Sequence, residues 1–269
     1  MNSTLKGKYG LIMGVANNYS IAWGISKVLA NAGASLAFSY QGEALGKRLK
    51  PLALELGSNF IVPCDVEKLE SIDLMFEEIK NRWGFLDFVV HSIAFSDKNE
   101  LRGCYANTTR NNFSRTMLIS CFSFTEVTKR AAMLMPNGGS ILTLTYGGST
   151  RVIPNYNVMG VAKAALEASV RYLASDYGPQ GIRINAISAG PVRTLAGASI
   201  SNGRAILSWN QENAPLRRSV TLEDIGNSAL YLLSDMSRGI TGEIHHVDAG
   251  YNIISMPAKY NNQNKNNPE

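Results

Sequence analysis

A short stretch of this chain holds two tyrosines and a lysine whose spacing suits acid chemistry on a carbonyl. It runs Leu142-Thr143-Leu144-Thr145-Tyr146-Gly147-Gly148, then Ile153-Pro154-Asn155-Tyr156-Asn157-Val158-Met159-Gly160-Val161-Ala162-Lys163. Tyr146 closes an apolar run that reads as a buried strand. Tyr156 opens a run with helical period, and Lys163 follows it by seven residues. At ~100° per residue, seven steps return to nearly the same helix face, about 10 Å further along the axis. A free phenol has a pKa of ~10, so at neutral pH it donates a hydrogen bond, and a nearby cation strengthens it as an acid. Lys163 lies two turns on, too far to bond the phenol as an adjacent-turn pair would. Its better role is to hold ribose hydroxyls while its field acts on Tyr156. Tyr146 either touches substrate, orders a lid or simply packs at its strand end.

Strands and helices alternate around these residues. Apolar runs at Tyr9–Met13, Ser35–Tyr40, Asn59–Cys64, Leu86–Ser92, Ser140–Thr145, Ile182–Ser188 and Glu243–Val247 predict seven strands. Helical patterns lie between them: Ser20 to Ala32 with Ser20 as N-cap, Glu43 to Leu56, Leu69 to Trp83, about Asn112 to Met135, Tyr156 to Tyr177, and near Arg204–Asn213 and Leu222–Ser234. Strands that are nearly all apolar belong to a sheet covered on both faces. The expected fold is a doubly wound, Rossmann-type parallel α/β sheet in a single domain.

Ligands of such a sheet bind beyond the carboxyl ends of the strands, where strand order reverses. The first such end reads Gly14-Val15-Ala16-Asn17-Asn18-Tyr19-Ser20-Ile21-Ala22-Trp23-Gly24. It keeps two glycines of the usual dinucleotide turn, and an ordinary connection remains an open reading. The helix start at Ser20-Ile21 would present free N–H groups to a pyrophosphate. After the second strand Gln41 is neither the carboxylate that binds ribose hydroxyls nor the arginine that suits a 2′-phosphate, and Glu43 comes two residues late. Asp65-Val66 would flank an adenine, and Ser92-Ile93-Ala94-Phe95 a ribose and nicotinamide.

Hydrophobic residues make up 45 % of the chain and charged residues 17 %, a core-forming balance for 269 residues. No apolar run approaches ~20 residues and the N-terminus lacks a secretory pattern, so the expectation is a soluble, cytoplasmic protein without a membrane span. Cys64, Cys104 and Cys121 read as small buried hydrophobes. His91, His245 and His246 make no metal-ligand cluster. The net charge of +5 is mild, and no basic block interleaved with aromatics points to nucleic acid. The tail from Lys259 to Glu269 is too polar to bury a core, and residues 257–269 are expected to be disordered.

Together these residues resemble the short-chain dehydrogenase/reductase superfamily, and within it the bacterial enoyl-acyl-carrier-protein reductase branch. The modified glycine turn, His91-Ser92-Ile93-Ala94-Phe95, the Tyr156–Lys163 spacing and the run Asn185-Ala186-Ile187-Ser188-Ala189-Gly190-Pro191-Val192-Arg193-Thr194-Leu195-Ala196 carry the likeness. It spans about Leu5 to Met256. General short-chain dehydrogenases place the lysine four residues after the tyrosine, where this chain has Gly160. The resemblance implies a homotetramer that reduces trans-2-enoyl thioesters on acyl carrier protein with NADH rather than NADPH, the last step of each fatty-acid elongation cycle. It implies cofactor contacts at Gly14, Ser20, Ile21, Gln41, Asp65, Val66, Ile93, Lys163, Val192, Arg193, Thr194, Leu195 and Ala196. Ser96, Tyr146 and Tyr156 would contact substrate, with Tyr146, Tyr156 and Lys163 catalytic. Two features depart from the pattern: Gly147-Gly148 replaces a bulky residue after Tyr146, and Ser201-Asn202-Gly203-Arg204 replaces an aromatic late in the loop Leu195 to Ile206. That loop, with Gly197, Ser199, Ser201 and Gly203, is the expected lid, and Arg193, Arg204, Arg217 and Arg218 could form a basic rim for an acidic carrier. A carbonyl reductase of the same superfamily, a non-catalytic NAD-binding sensor and a structural interaction protein are the competing readings.

Overall fold

The computed structural model describes residues 4–192 and 203–256, without the side chains of 203 and 204. Seven parallel strands form one sheet in the order β3-β2-β1-β4-β5-β6-β7. They are β1 (Tyr9–Met13), β2 (Ser35–Tyr40), β3 (Ile61–Pro63), β4 (Phe88–His91), β5 (Gly139–Thr145), β6 (Ile182–Ala189) and β7 (Ile244–Val247). The helices are α1 (Ile21–Asn31), α2 (Gly42–Glu55), α3 (Leu69–Trp83), α4 (Arg110–Met117), α5 (Ser123–Met133), α6 (Asn157–Tyr177), α7 (Gly203–Asn213) and α8 (Leu222–Leu233).

The apolar strands bury both faces because each face has its own core. On one side Ile72, Phe124 and Leu166 bring α3, α5 and α6 against the sheet. On the other, Ile25, Leu49 and Ile225 bring in α1, α2 and α8. Helices α1 and α8 cross closely because Gly24 and Gly226 stand at the crossing. A Cβ on Gly24 would lie 2.6 Å from Leu222 Cβ, so this second glycine of the first turn serves helix packing. Strand order turns back at β1, which pairs with β2 on one side and β4 on the other. The crevice is therefore bounded by the loops after β1 and β4.

The doubly wound sheet agrees with the sequence expectation, and β2 and α3 have the expected bounds. Three expectations need correction. Ser20 occupies the N-cap of α1, but its side chain makes no cap bond; its Oγ accepts from the amides of Ala16 and Asn17 at 3.0 and 3.1 Å. The helical region after β4 contains a π-helical turn, Leu118–Phe122, between α4 and α5. Cys64 and Cys121 are buried but Cys104 is exposed, because it sits in the irregular segment between β4 and α4. Among the described residues no helix is long and apolar enough to cross a membrane. Most of the expected lid, and the expected disordered tail from 257, lie outside the described residues. Residues 203–206 of that lid form the first turn of α7, in keeping with the helix formers Arg204, Ala205 and Leu207.

Candidate active site

Gly14 has φ +98°, and a Cβ there would stand 1.9 Å from the Ser92 carbonyl oxygen. The loops after β1 and β4 therefore meet backbone to backbone, a cradle that any side chain would fill. Because Ser20 turns its hydroxyl back onto Ala16 and Asn17, the first amides of α1 stay uncapped. An uncapped helix start facing a crevice suits the phosphates of a dinucleotide. Gln41 is exposed at the end of β2, and Asp65 and Val66 follow β3, with Asp65 Oδ1 accepting from the Glu67 amide at 3.1 Å. Ile93 follows β4 and packs on the core. These residues line the carboxyl edge of the sheet, so the chain fits a dinucleotide there. Val192, after β6, is half-buried and packs on the core. Arg193, Thr194, Leu195 and Ala196 lie outside the described residues.

Tyr146, Tyr156 and Lys163 converge at the end of β5. The two phenol rings meet edge to face, with centroids 5.2 Å apart and planes at 76°. Tyr156 is buried among Leu101, Val158 and Met159. Lys163 is 6 % exposed and donates to the Leu144 carbonyl at 2.8 Å. Among the described residues no hydrogen bond joins it to Tyr156, as two helical turns of separation require.

Glycines explain how the rings fit. A Cβ on Gly148 would lie 2.4 Å from Tyr156 Cδ1, and one on Gly160 would lie 2.6 Å from the Gly148 carbonyl oxygen. The Tyr146-Gly147-Gly148 turn thus lies directly on α6, and no side chain fits at 160. The lysine comes three residues later, at a position with room to reach Leu144. Gly147 has nothing within 4 Å of its Cβ, so the missing bulk after Tyr146 leaves open space.

Burial sets the electrostatics. It pushes the Tyr156 phenol far above the ordinary tyrosine value, with Tyr146 and Glu167 adding to the effect. Burial, and Tyr251 after it, pushes Tyr146 up to about 12. Lys163 is held down to about 8 by burial, opposed by Cys121 and Glu167. Both phenols are therefore neutral and able to donate. Such donors stabilise an oxygen that gains negative charge.

Ser96, expected to touch substrate, is held by residues for which the sequence has no clear signal. Ser96 turns its side chain toward α4, where its Oγ accepts from Thr116 Oγ1 at 2.9 Å and Asn112 Nδ2 at 3.2 Å. Asn112 Oδ1 also accepts from the Asp97 amide, and Ser120 Oγ accepts from the Phe95 amide at 2.9 Å. Asn112, Thr116 and Ser120 stand four residues apart and stitch the loop after β4 to one helix face; that spacing of small polar residues was the available clue. Arg115 forks onto Glu67 at 2.7 and 2.8 Å and stacks on Phe95, tying the ends of β3 and β4 together. Asn157, at φ 36°, donates to the Glu100 and Gly103 carbonyls. Asn210 on α7 is buried, and among the described residues neither of its amide atoms is paired; it lies beside a cavity of about 30 Å³ that Tyr146, Ser188 and Asp248 also line. That volume suits about one water molecule.

Comparison with known proteins agrees with this geometry. A family model described as Enoyl-(Acyl carrier protein) reductase matches residues 14–252. The chain is 74 % identical over 257 residues to "Enoyl-[acyl-carrier-protein] reductase [NADH] 2" of Rhizobium meliloti (strain 1021), covering 96 % of each. Its fold is similar to the crystal structure of FabI from Candidatus Liberibacter asiaticus, with TM-score 0.94, 71 % identity, and 96 % and 100 % of the two chains covered. It is also similar to the enoyl-(acyl-carrier-protein) reductase from Anaplasma phagocytophilum in complex with NAD, with TM-score 0.91, 56 % identity and 95 % of each chain covered. Matched by the family model over residues 14–252 and by a relative 74 % identical over nearly the whole of both chains, this chain belongs to the enoyl-acyl-carrier-protein reductase family.

Proposed function

We propose that this protein reduces trans-2-enoyl thioesters carried on acyl carrier protein, with NADH as the cofactor and Tyr156 as the hydrogen-bond donor to the thioester oxygen. The observation that carries this reading is the buried, neutral Tyr156 phenol held edge-on to Tyr146, beside a crevice whose Gly14 turn and uncapped α1 suit a dinucleotide. The relatives' names add the substrate and the choice of NADH.

Bound NADH supplies the hydride. The protein's own residues do the rest. Adding a hydride at C3 of a conjugated thioester leaves negative charge on the thioester oxygen, and the enolate then takes a proton from solvent at C2 to give the saturated thioester. Tyr156 donates to that oxygen, and burial keeps water from competing for it. Lys163 holds ribose hydroxyls and presents positive charge to the phenol. Tyr146 limits where the thioester can lie by walling off the Tyr156 ring. Gly14, Ser20, Ile21, Gln41, Asp65, Val66 and Ile93 bind and orient the cofactor along the sheet edge, and Val192 to Ala196 continue that contact. Ser96 offers the substrate its main chain, since its hydroxyl is committed to α4. The stretch 195–206 is the lid, by its content of small residues.

The assembly is a homotetramer in the cytoplasm. Strand β7 ends the sheet, and Phe122 on the π-helical turn and Val161 and Tyr172 on α6 expose apolar surface. Further copies of the chain cover such surfaces. Of the expected basic rim, Arg218 is engaged by Asp224 at 2.5 and 3.2 Å, and Arg217 donates to the Glu212 carbonyl; the side chains of Arg193 and Arg204 lie outside the described residues, and Arg204, at the end of the expected lid, is assigned to the rim. Mass spectrometry of the product formed from crotonyl thioester and NADH tests the reaction. Butyryl thioester is expected; unchanged crotonyl thioester with NADH still bound would favour the non-catalytic sensor.

A further inference from the structure

The last two residues of β5 hold two charged side chains from successive turns of α6. The Leu144 carbonyl accepts from Lys163 Nζ at 2.8 Å, and Thr145 Oγ1 donates to Glu167 Oε1 at 2.6 Å. Lys163 is 6 % exposed and Glu167 8 % exposed, and four residues separate them on one helix face. Among the described residues no ion pair within 4.0 Å includes either, so each is anchored on β5 rather than on the other.

We propose that Glu167 is a positioning residue for Lys163: fixed by Thr145, its carboxylate is the counter-charge that keeps the Lys163 ammonium in place for the cofactor ribose. The neighbours of Lys163 favour this assignment. His91 on β4 is fully buried, bonded to Ser123 at 2.9 Å, and held down to about 3 by burial and by Lys163, so it stays neutral. Cys121 on the π turn is pushed up by burial and stays a thiol. Tyr156 on α6 stays a phenol. Burial lowers the proton affinity of the ammonium, and Cys121 and then Glu167 raise it; Glu167 is the carboxylate among these groups. A buried lysine without a counter-charge gives up its proton instead. The proposal rests on the reading of Lys163 as a ribose ligand, and its test separates the two.

The experiment is an NADH fluorescence titration of the full chain from pH 6.5 to 9.5, with Glu167→Gln, Thr145→Val, Thr145→Ser and Lys163→Met beside the parent. Glutamine keeps the volume of Glu167 and its acceptor for Thr145 but removes the charge. The parent should lose affinity as pH rises through the Lys163 titration. In Glu167→Gln that loss should begin about one pH unit lower, the scale of a nearby opposite charge, with affinity at pH 6.5 within about threefold of the parent. Thr145→Val should move it part of the way, and Thr145→Ser, which restores the hydroxyl, should return it. A Glu167→Gln profile that coincides with the parent, or falls equally at every pH, overturns the proposal. Lys163→Met shows which idea has failed. If it binds NADH with the parent's profile, the ribose assignment falls and this inference with it. If it loses both affinity and pH dependence while Glu167→Gln changes nothing, only the role of Glu167 is wrong.

Discussion

Gly148→Ala is a one-methyl change whose effect follows from two distances. The new Cβ would lie 2.4 Å from Tyr156 Cδ1 and 2.7 Å from Cε1. Non-bonded carbons rest at ~3.5–4.0 Å, so ring and turn must part by about 1 Å. Neither can move freely. The ring is 8 % exposed among Leu101, Val158 and Met159, and the Gly148 carbonyl already abuts Gly160 on α6. The strain should cost about 1–3 kcal/mol of stability, as overpacking does. A misplacement of about 1 Å at a reacting group should cost about 10²-fold in kcat. Gly147→Ala is the matched control, because nothing lies within 4 Å of a Cβ there; it should stay within about twofold of the parent, as surface changes do. Turnover of crotonyl thioester at saturating NADH reads the catalytic effect, and a melting curve with an NADH titration shows that the variant is folded and binds cofactor. Parental kcat in a folded Gly148→Ala protein would refute the claim that this contact sets the Tyr156 position. Equal damage from Gly147→Ala would place the effect in the turn itself.

Tyr156→Phe should lower kcat by roughly 10²-fold or more while NADH affinity changes little, since it removes one polar catalytic group and no cofactor contact; stopped-flow and steady-state turnover check this. Lys163→Ala should weaken NADH binding. Because the Lys163 pKa is lowered to about 8, the ammonium is present below that pH and lost above it, so parental NADH affinity should fall as pH rises through about 8. Lys163→Arg should keep part of the binding and lose that alkaline decline, because a guanidinium does not deprotonate in this range; titrations on both sides of pH 8 decide it. Arg204, in the first turn of α7, should attract the acidic carrier, so Arg204→Glu should raise KM for an acyl-carrier-protein substrate. Added salt should shrink the difference, and a short coenzyme A thioester should be nearly unaffected.

What was legible in the sequence was local. Strand β2 and helix α3 keep the expected bounds because hydrophobic period acts over a few residues. The Tyr156–Lys163 face was legible for the same reason, since helical geometry alone sets it. The contacts that shape the site are long-range. Gly14 meets Ser92, Asn112 holds Ser96, and Thr145 grips Glu167, and no window of sequence contains both partners with their geometry. Ser20 shows the limit within a single loop. Its residue type suits a helix cap, yet the long turn curls back and offers the Ala16 and Asn17 amides first. Gly160 reads as a departure from the short-chain dehydrogenase spacing, and the reason is visible only once the Gly148 carbonyl is seen against it.

The central claim is that this site reduces the carbon–carbon double bond of an enoyl thioester with NADH. Its most direct test is the rate of NADH oxidation by the parent protein with crotonyl thioester beside acetoacetyl thioester on the same carrier. Turnover of the crotonyl substrate with the acetoacetyl substrate inert is the predicted result. Oxidation of NADH by the acetoacetyl substrate alone would make the protein a carbonyl reductase of the same superfamily and contradict the account.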